Sequence, residues 1–331
     1  MSTASWLIFL LLVLAALCTS ALPLDVPRTD ALAPRASSAC TSIVQRVNWN
    51  TLSPAQKDAY FDAVKCLKTK PSQTSFDASK NLYDDFPSIH IQQDHHIHFV
   101  AAFLPWHRRF VQARERALQS CGYHGPTPYW DWTKAADTGN PQVDPIFSID
   151  DGFGGNGDPD HDQTVTQGPL PTSPLTSRQA GSDDEILYEP HLLRRNFEDN
   201  PYLFDNFNST AVAKGQTISA FNDYRYYLEG TPHGAVHQYI AGDMAPVSSP
   251  NEPLFFLHHA AIDRLWALWQ DMDPSKRLTD YAGNLPGADD KDGPFDAAIE
   301  DILPSFGGLI DQVPVSAVMN TRAGDLCYEY V

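Results

Sequence analysis

The sequence is poor in basic residues. It has 23 Lys and Arg against 41 Asp and Glu, a formal net charge of −18. Domains that bind nucleic acids carry basic patches that neutralise phosphates, so this balance argues against a nucleic-acid partner. Many acidic residues fall in loop-like stretches such as 158–162 and 289–292. We interpret them as a solvated surface rather than as calcium sites.

After its first twenty residues the chain also lacks a long apolar run. Residues 6–17 form an almost uninterrupted apolar segment that small residues follow. That length is typical of a secretory signal and is short for a membrane span. We predict a signal peptide at 1–20, a linker or short propeptide at 21–39 and one domain at 40–331. The mature protein is expected to be extracellular, without membrane association.

Cysteine is scarce, and one of the five cysteines, Cys18, falls inside the expected signal peptide. An even number in a secreted chain indicates two disulfides, and four cysteines allow three pairings. Cys66 and Cys121 each lie near the end of a predicted helix, whereas Cys40 and Cys327 bracket the domain. These positions favour the pairs Cys40–Cys327 and Cys66–Cys121.

Regular secondary structure is expected mainly as α-helices. Pro54–Leu67 should be a helix that Ser53 caps, with Gln56 completing a capping box. Further helices are expected around His90 and at His107–Leu118, Thr217–Leu228, His233–Ile240 and Glu252–Gln270. Residues 135–216 are rich in Gly, Pro, Ser and Asp and predict a long irregular loop. This region contains the sequon Asn208-Ser209-Thr210, a candidate glycosylation site at Asn208.

Histidine, by contrast, is concentrated in two short windows. Five of the twelve lie between His90 and His107, and four lie between His233 and His259. After Pro105, apolar residues recur at spacings of three and four, which predicts a helix with His107 facing the core. A buried imidazole needs a hydrogen-bond partner or a metal. For a single buried histidine, a hydrogen bond is the better explanation. For two clusters of histidines, metal binding is the better explanation.

The second window has the spacing of metal ligands. His233 and His237 are four residues apart, on one face of a helix, and could reach one ion. His259 would share a face with Asp263 one turn later. If His259 binds metal, Asp263 could orient a ligand through a hydrogen bond.

The types of these candidate ligands indicate which metal they bind. Two sets of imidazoles with no obvious carboxylate or thiolate ligand suit copper. Zinc also accepts three histidines, and the His-x-x-x-His spacing occurs in zinc proteases. Here Gly234 stands where those enzymes carry a catalytic Glu. Two triads in one domain indicate a pair of metals, and we predict two copper ions.

Several motifs together resemble one family. They are the spacings of eight and nine residues from His90 to His98 to His107, Phe-Leu-Pro-Trp-His-Arg at 103–108, Pro-Tyr-Trp-Asp-Trp at 128–132, and His233-x-x-x-His237 followed by 253–259 and 263–266. The chain resembles type 3 copper proteins of the tyrosinase and catechol oxidase (polyphenol oxidase) family, in a short secreted form like those of fungi. The resemblance covers about residues 40–331.

The resemblance implies a four-helix-bundle core that holds a dicopper site, with long irregular loops outside it. It implies that His90, His98 and His107 bind one copper. His233, His237 and His259 would bind the other, because the second histidine of the doublet His258-His259 is the ligand in that family.

The resemblance also assigns other roles. It implies that Glu229 is an acid that holds a water near the metals, and that Pro246 and Val247 lie near the gate through which substrate enters. Gly234 occupies a position where many tyrosinases carry Asn. Tyr328 and Tyr330 resemble a tyrosine motif of the family, and Arg46 resembles an arginine that packs against that motif. Fungal tyrosinases often have Cys two residues before the second ligand, joined to it by a thioether. Here that position is His96, so no such crosslink is expected.

The expected activity is the oxidation of o-diphenols to o-quinones with O2, on small phenolic substrates. One alternative is a tyrosinase with substantial monophenol hydroxylation. Another is an oxygen carrier with the same copper site, as in haemocyanins. A zinc hydrolase is a more remote reading.

Overall fold

A computed structural model describes residues 40–331 except residue 126 and the ranges 171–174, 181–184 and 287–295. The predicted signal peptide and linker lie outside these residues. The α-helices are α1 (Pro54–Leu67), α2 (Leu82–Ile97), α3 (Phe103–Ser120), α4 (Thr133–Asp137), α5 (Pro201–Phe204), α6 (Ser209–Gln216), α7 (Phe221–Leu228), α8 (Gly234–Ile240), α9 (Leu254–Asp271) and α10 (Pro274–Arg277). The strands are β1 (Val44–Arg46), β2 (Leu175–Ala180), β3 (Glu185–His191) and β4 (Tyr328–Tyr330).

The core is built from α2, α3, α7–α8 and α9, as the mainly α prediction expected. α3 packs on α9 and on α2, while the π-type turn Glu229–His233 joins α7 to α8 and packs on α9. Every residue from Leu254 to Asp263 is buried. A helix that is buried on nearly all sides belongs at the centre of the molecule. This arrangement places both histidine windows inside the bundle.

Local sequence signals fix the starts of two of these helices. At α1 the predicted capping box is present, with Ser53 accepting from the N–H of Gln56 and Gln56 bonded back to Ser53. At α2 the side chain of Asn81 accepts from the N–H groups of Tyr83 and Asp84. These caps satisfy backbone donors that have no partner inside the helix.

The beginning and end of the described chain meet in a small parallel ladder. β1 pairs with β4, with Val44 opposite Tyr328 and Arg46 opposite Tyr330. The disulfide Cys40–Cys327 closes the same region, and Cys66–Cys121 joins the ends of α1 and α3. Both pairs are those that the sequence favoured.

The region 135–216 is not wholly irregular, which corrects the sequence prediction. β2 and β3 form an antiparallel hairpin, and α5 and α6 follow it. The strand β2 has the sequence Leu-Thr-Ser-Arg-Gln-Ala, which lacks the alternation of large apolar and polar residues that predicts a strand. Among the described residues, none of the helices combines the length and apolar character that crossing a membrane requires.

Candidate metal centre

The first predicted triad comes together around the start of α3. His90 lies on α2, His98 follows the end of that helix, and His107 lies on α3. One nitrogen from each ring lies within 4.8 Å of the other two. His90 and His107 are buried, and His98 is half-buried.

Main-chain carbonyls orient two of these rings. His90 Nδ1 lies 2.6 Å from the Val247 oxygen, and His107 Nδ1 lies 2.8 Å from the Phe103 oxygen. Since a carbonyl only accepts, each Nδ1 carries the proton and each Nε2 keeps a lone pair. These two Nε2 atoms face each other at 3.4 Å. Two lone pairs at that distance repel unless a shared cation lies between them, so the triad fits a metal.

A carboxylate orients the third ring. Asp94 Oδ1 lies 2.6 Å from His98 Nδ1, one helical turn earlier. Burial by itself would raise the pKa of Asp94, but the hydrogen bond and charge of His98 outweigh it and hold that pKa below its usual value. An ionised carboxylate on Nδ1 makes the imidazole a stronger donor to a metal at Nε2. Sequence analysis missed this role, although the spacing of four was visible.

The second cluster contains one histidine more than predicted. His233, His237, His258 and His259 each place a ring nitrogen within 4.8 Å of the others. His233 Nδ1 donates to the carbonyl of Glu229 at 3.0 Å, and His237 Nδ1 donates to that of Met244 at 2.7 Å. The Nε2 atoms of both rings are buried and have no protein partner among the described residues. They are therefore available to a metal.

The two histidines of the doublet face different neighbours. His259 stacks on His107 of the first cluster, with ring centroids 4.4 Å apart and planes 15° apart. His258 stacks instead on His233, at 5.4 Å and 22°, and lies near Trp132. Both rings are buried without a hydrogen-bond partner among the described residues. The contact with His107 favours His259 as the ligand beside the first cluster.

Burial keeps these imidazoles neutral. Burial, acting together with the neighbouring imidazoles, lowers the pKa of His90 to about 3 and that of His237 to about 4. The pKa values of His107, His233 and His259 also lie well below the usual range, for the same reasons. At neutral pH these rings retain lone pairs instead of taking up protons. A set of neutral imidazole nitrogens is the donor set that copper and zinc accept.

Glu229 is buried, its carbonyl accepts from His233 of the second cluster, and its carboxyl group interacts electrostatically with His98 of the first. Its Oε1 accepts from the N–H of Phe99 at 2.6 Å, and its Oε2 accepts from Arg225 Nη1 at 3.2 Å. Burial raises the pKa of Glu229 to about 7, although His98, the Phe99 N–H and Arg225 all act to lower it. The site thus holds a fixed carboxyl group that can exchange a proton near neutral pH.

Phe99 is held in an unusual conformation directly after His98. Its φ is +55°, and Asn284 Nδ2 donates to its carbonyl at 2.9 Å. A non-glycine residue in this region costs about 1 kcal/mol or more, which the surrounding hydrogen bonds must offset. The ring is 56% exposed. Sequence analysis missed Phe99 and Asn284, because their contacts join distant parts of the chain. It also missed Arg225, although that residue lies only four positions before Glu229.

The residues predicted to border the substrate pocket lie on two segments. Gly234 begins α8, and a Cβ atom added to it would lie 3.3 Å from the Glu229 carbonyl oxygen. Pro246 is exposed and Val247 is half-buried. Val247 also supplies the carbonyl that orients His90.

Asp263 does not orient His259, contrary to the sequence prediction. Its Oδ1 accepts from Arg108, and its Oδ2 accepts from Tyr328, Tyr330 and Arg46. The Arg46 guanidinium also lies 3.4 Å from the centre of the Tyr328 ring. Asp263 therefore joins α9 to β1 and β4 in a buried charge network outside the histidine clusters.

Replacing Asp263 by Ala should destabilise the fold strongly. It would leave two buried guanidinium groups, those of Arg46 and Arg108, without this carboxylate, a loss of about 3–5 kcal/mol. Denaturant unfolding measures the free energy. Asp271 on the same helix pairs with Arg322 at the exposed surface, so Asp271→Ala is the matched control and should cost at most about 1 kcal/mol. Equal losses of unfolding free energy in the two variants would contradict the structural role assigned to Asp263.

Comparisons with known proteins agree with this geometry. Residues 80–272 match the family described as the common central domain of tyrosinase. The chain is 38% identical over 313 residues to tyrosinase-like protein phomQ1 of Diaporthe leptostromiformis, covering 88% of this chain and 78% of the relative. It is 34% identical over 309 residues to tyrosinase ustQ of Aspergillus flavus, covering 88% and 80%.

Solved structures show the same likeness. A glycine-to-asparagine variant of a polyphenol oxidase from Thermothelomyces thermophila superposes with a TM-score of 0.76 at 31% identity, covering 87% of this chain and 89% of that one. A functional unit of octopus hemocyanin superposes with a TM-score of 0.52 at 19% identity, covering 87% and 68%. The second likeness concerns the fold alone.

Proposed function

The chain belongs to the tyrosinase family of type 3 copper proteins, and from that premise we propose that it oxidises o-diphenols to o-quinones with O2. The observation that carries the proposal is the meeting of two sets of imidazoles where His107 stacks on His259. Such a meeting point suits two neighbouring metal ions rather than one. The net charge of −18 favours neutral over anionic phenols as substrates.

The residues that would hold the metals are histidines whose ring nitrogens can offer a lone pair to an ion. His90, His98 and His107 would bind one copper, and His233, His237 and His259 would bind the other. Two bound copper ions would supply the redox chemistry, in which two diphenols and one O2 give two quinones and two waters. The protein would orient the ligands and exclude water from the buried rings.

Glu229 is the residue we propose to move protons. With its pKa raised to about 7 by burial, it is divided between carboxylate and acid at neutral pH, which is the range in which a general base works best. The Phe99 N–H and Arg225 fix its two oxygens, so an accepted proton stays at a defined place. Its role would be to take a proton from a diphenol hydroxyl, directly or through water.

Access to the site would involve the segment that contains Pro246 and Val247. Pro246 is exposed and Val247 is half-buried, next to the carbonyl contact with His90. A phenol that approaches the metals would pass these side chains. We propose them as contacts that limit substrate size.

We also propose that the protein is secreted and glycosylated at Asn208. The two disulfides support an oxidising compartment. Asn208 is half-buried and caps α6, with its Oδ1 accepting from the Ala211 N–H. Attachment of a glycan at Nδ2 leaves that oxygen in place.

The deciding experiment measures O2 uptake and quinone formation by copper-loaded protein with a panel of mono- and diphenols. Rapid oxidation of catechols supports the proposal. Reversible O2 binding without quinone would instead indicate an oxygen carrier, and metal analysis that finds zinc with hydrolytic activity would indicate a hydrolase. Comparable rates on monophenols and catechols would favour the tyrosinase alternative.

The hydrogen bond from His98 to Asp94 gives a separate prediction. Asp94→Asn keeps the shape of the side chain but removes its charge, so copper at the first triad should bind about 10- to 100-fold more weakly. Copper titration measures the affinity. A Cu(II) ion left alone has an unpaired electron and gives an EPR signal, which a strongly coupled pair lacks. The control is Asp62→Asn, an exposed residue of α1, and equal affinities in the two variants would exclude this role of Asp94.

A further inference from the structure

Two of the candidate ligands depend on one short segment outside the helices that carry them. His237 Nδ1 donates to the Met244 carbonyl at 2.7 Å, and His90 Nδ1 lies 2.6 Å from the Val247 carbonyl. His237 belongs to the second cluster and His90 belongs to the first. The segment 244–247 therefore contacts one ligand of each proposed copper ion.

Other ligands are oriented from within their own stretch of chain. His107 donates to the carbonyl of Phe103, and His233 donates to that of Glu229, each four residues earlier. These bonds form whenever the local helix or turn forms. The orientations of His90 and His237 instead require that the segment 244–247 be held at the right place.

Asp243 holds that segment. Its N–H donates to the Arg194 carbonyl at 3.0 Å, and its Oδ2 accepts from the Arg194 N–H at 2.7 Å. Its Oδ1 lies 2.7 Å from His191 Nε2. The side chains of Asp243 and His191 are each only 11% exposed. Three hydrogen bonds thus fasten the segment to the chain that leaves β3.

The close approach of the two segments leaves little freedom. Gly242 has φ +49°, and a Cβ atom there would lie 2.2 Å from the Arg194 carbonyl oxygen. Arg195, which follows Arg194 in the chain, is fully buried and forms a two-point ion pair with Glu252, with both N–O distances 2.8 Å. Glu252 lies two residues before α9, the helix of His259, and its Oε1 accepts from the N–H of Leu254 at the start of that helix. Residues 194 and 195, to which Asp243 is hydrogen-bonded or adjacent, are therefore held firmly against the core.

We propose that Asp243 is a positioning residue for both metal sites. By fastening the segment 242–247 to residues 191–195, it sets the directions of His90 and His237 together, and through them the separation of the two ions. The proposal rests on the dicopper function proposed above. It differs from the loss of a ligand, because disturbing Asp243 acts on both triads at once and removes no metal-binding nitrogen.

The test compares Asp243→Ala with wild type in the full chain. We expect both copper ions to bind about 10- to 100-fold more weakly, the loss that follows removal of groups that orient ligands. The Cu(II)-loaded variant should also give an EPR signal, because a changed separation weakens the magnetic coupling of the pair. His191→Ala, which leaves both bonds between Asp243 and Arg194, should show a smaller shift in the same direction. His191→Gln, which restores a donor, should return towards wild type.

A matched control separates positioning from general destabilisation. Asp144 is also buried and accepts three hydrogen bonds, from Asn50, Trp130 and the Ile146 N–H. Asp144→Ala should lower stability while leaving copper affinity and the EPR spectrum unchanged.

Each outcome bears on one claim. Asp243→Ala with wild-type affinity for both ions and no EPR signal would overturn the proposal, as would the selective loss of one ion. If that variant does not fold, His191→Ala decides, and wild-type copper binding in it would overturn the proposal equally. Wild-type protein that binds no pair of copper ions would refute the proposed function itself.

Discussion

His259→Ala is expected to lose one of two copper ions and at least about a thousandfold of the catechol oxidation rate, because residues that act as one catalytic unit fail together. The ring of His259 stacks on His107, and both of its nitrogens lack a partner among the described residues. Its removal would take a proposed ligand from the place where the two triads meet. Copper analysis after gel filtration and O2 uptake with a catechol measure the two losses.

The neighbouring histidine supplies the control. His258 is buried to the same extent, but it stacks on His233 and lies near Trp132. His258→Ala should therefore cost stability while retaining two copper ions and most of the activity. If His258→Ala loses copper and His259→Ala keeps both ions, the ligand within the doublet is His258.

The spacing of the histidines was enough to predict both clusters. His90, His107, His233 and His237 lie on or beside helices that the sequence predicted, and the structure brings their rings together. Local rules apply here because residues four apart on a helix share a face. The family resemblance selected His259, whereas the structure places His258 in the same cluster as well.

Contacts that join distant segments could not be predicted in this way. The proximity of Asp263 to His259 along α9 indicated a hydrogen bond between them, but two arginines and two tyrosines far away in sequence take up its carboxylate. The carbonyls of Met244 and Val247 carry no side-chain signal at all, since every residue has one. Their roles emerge only once the loops are folded against the bundle.

Gly234→Asn is expected to raise the ratio of monophenol hydroxylation to diphenol oxidation by about two- to tenfold. A monophenol must lose a proton whose pKa is near 10 before it can be hydroxylated. A catechol is already at the diphenol stage and can offer two oxygens to the metals, so its oxidation depends less on a base. Gly234 has no side chain with which to polarise a water that Glu229 would hold. An amide there could add one hydrogen bond, which contributes about 0.5–1.5 kcal/mol, the free energy of that change in rate. Initial rates with a matched monophenol and catechol give the ratio.

The structure shows why this variant needs a steric control. Gly234 has helical backbone angles that Asn can adopt, but its new Cβ would lie 3.3 Å from the Glu229 oxygen that accepts from His233 Nδ1. Any side chain therefore crowds the bond that orients a candidate ligand. Gly234→Ala adds this crowding without the amide, and it should slow both reactions while leaving their ratio near that of wild type. Because only the amide can polarise water, the Asn variant must exceed the Ala variant in ratio, and equal ratios would remove Gly234 from the explanation of substrate preference.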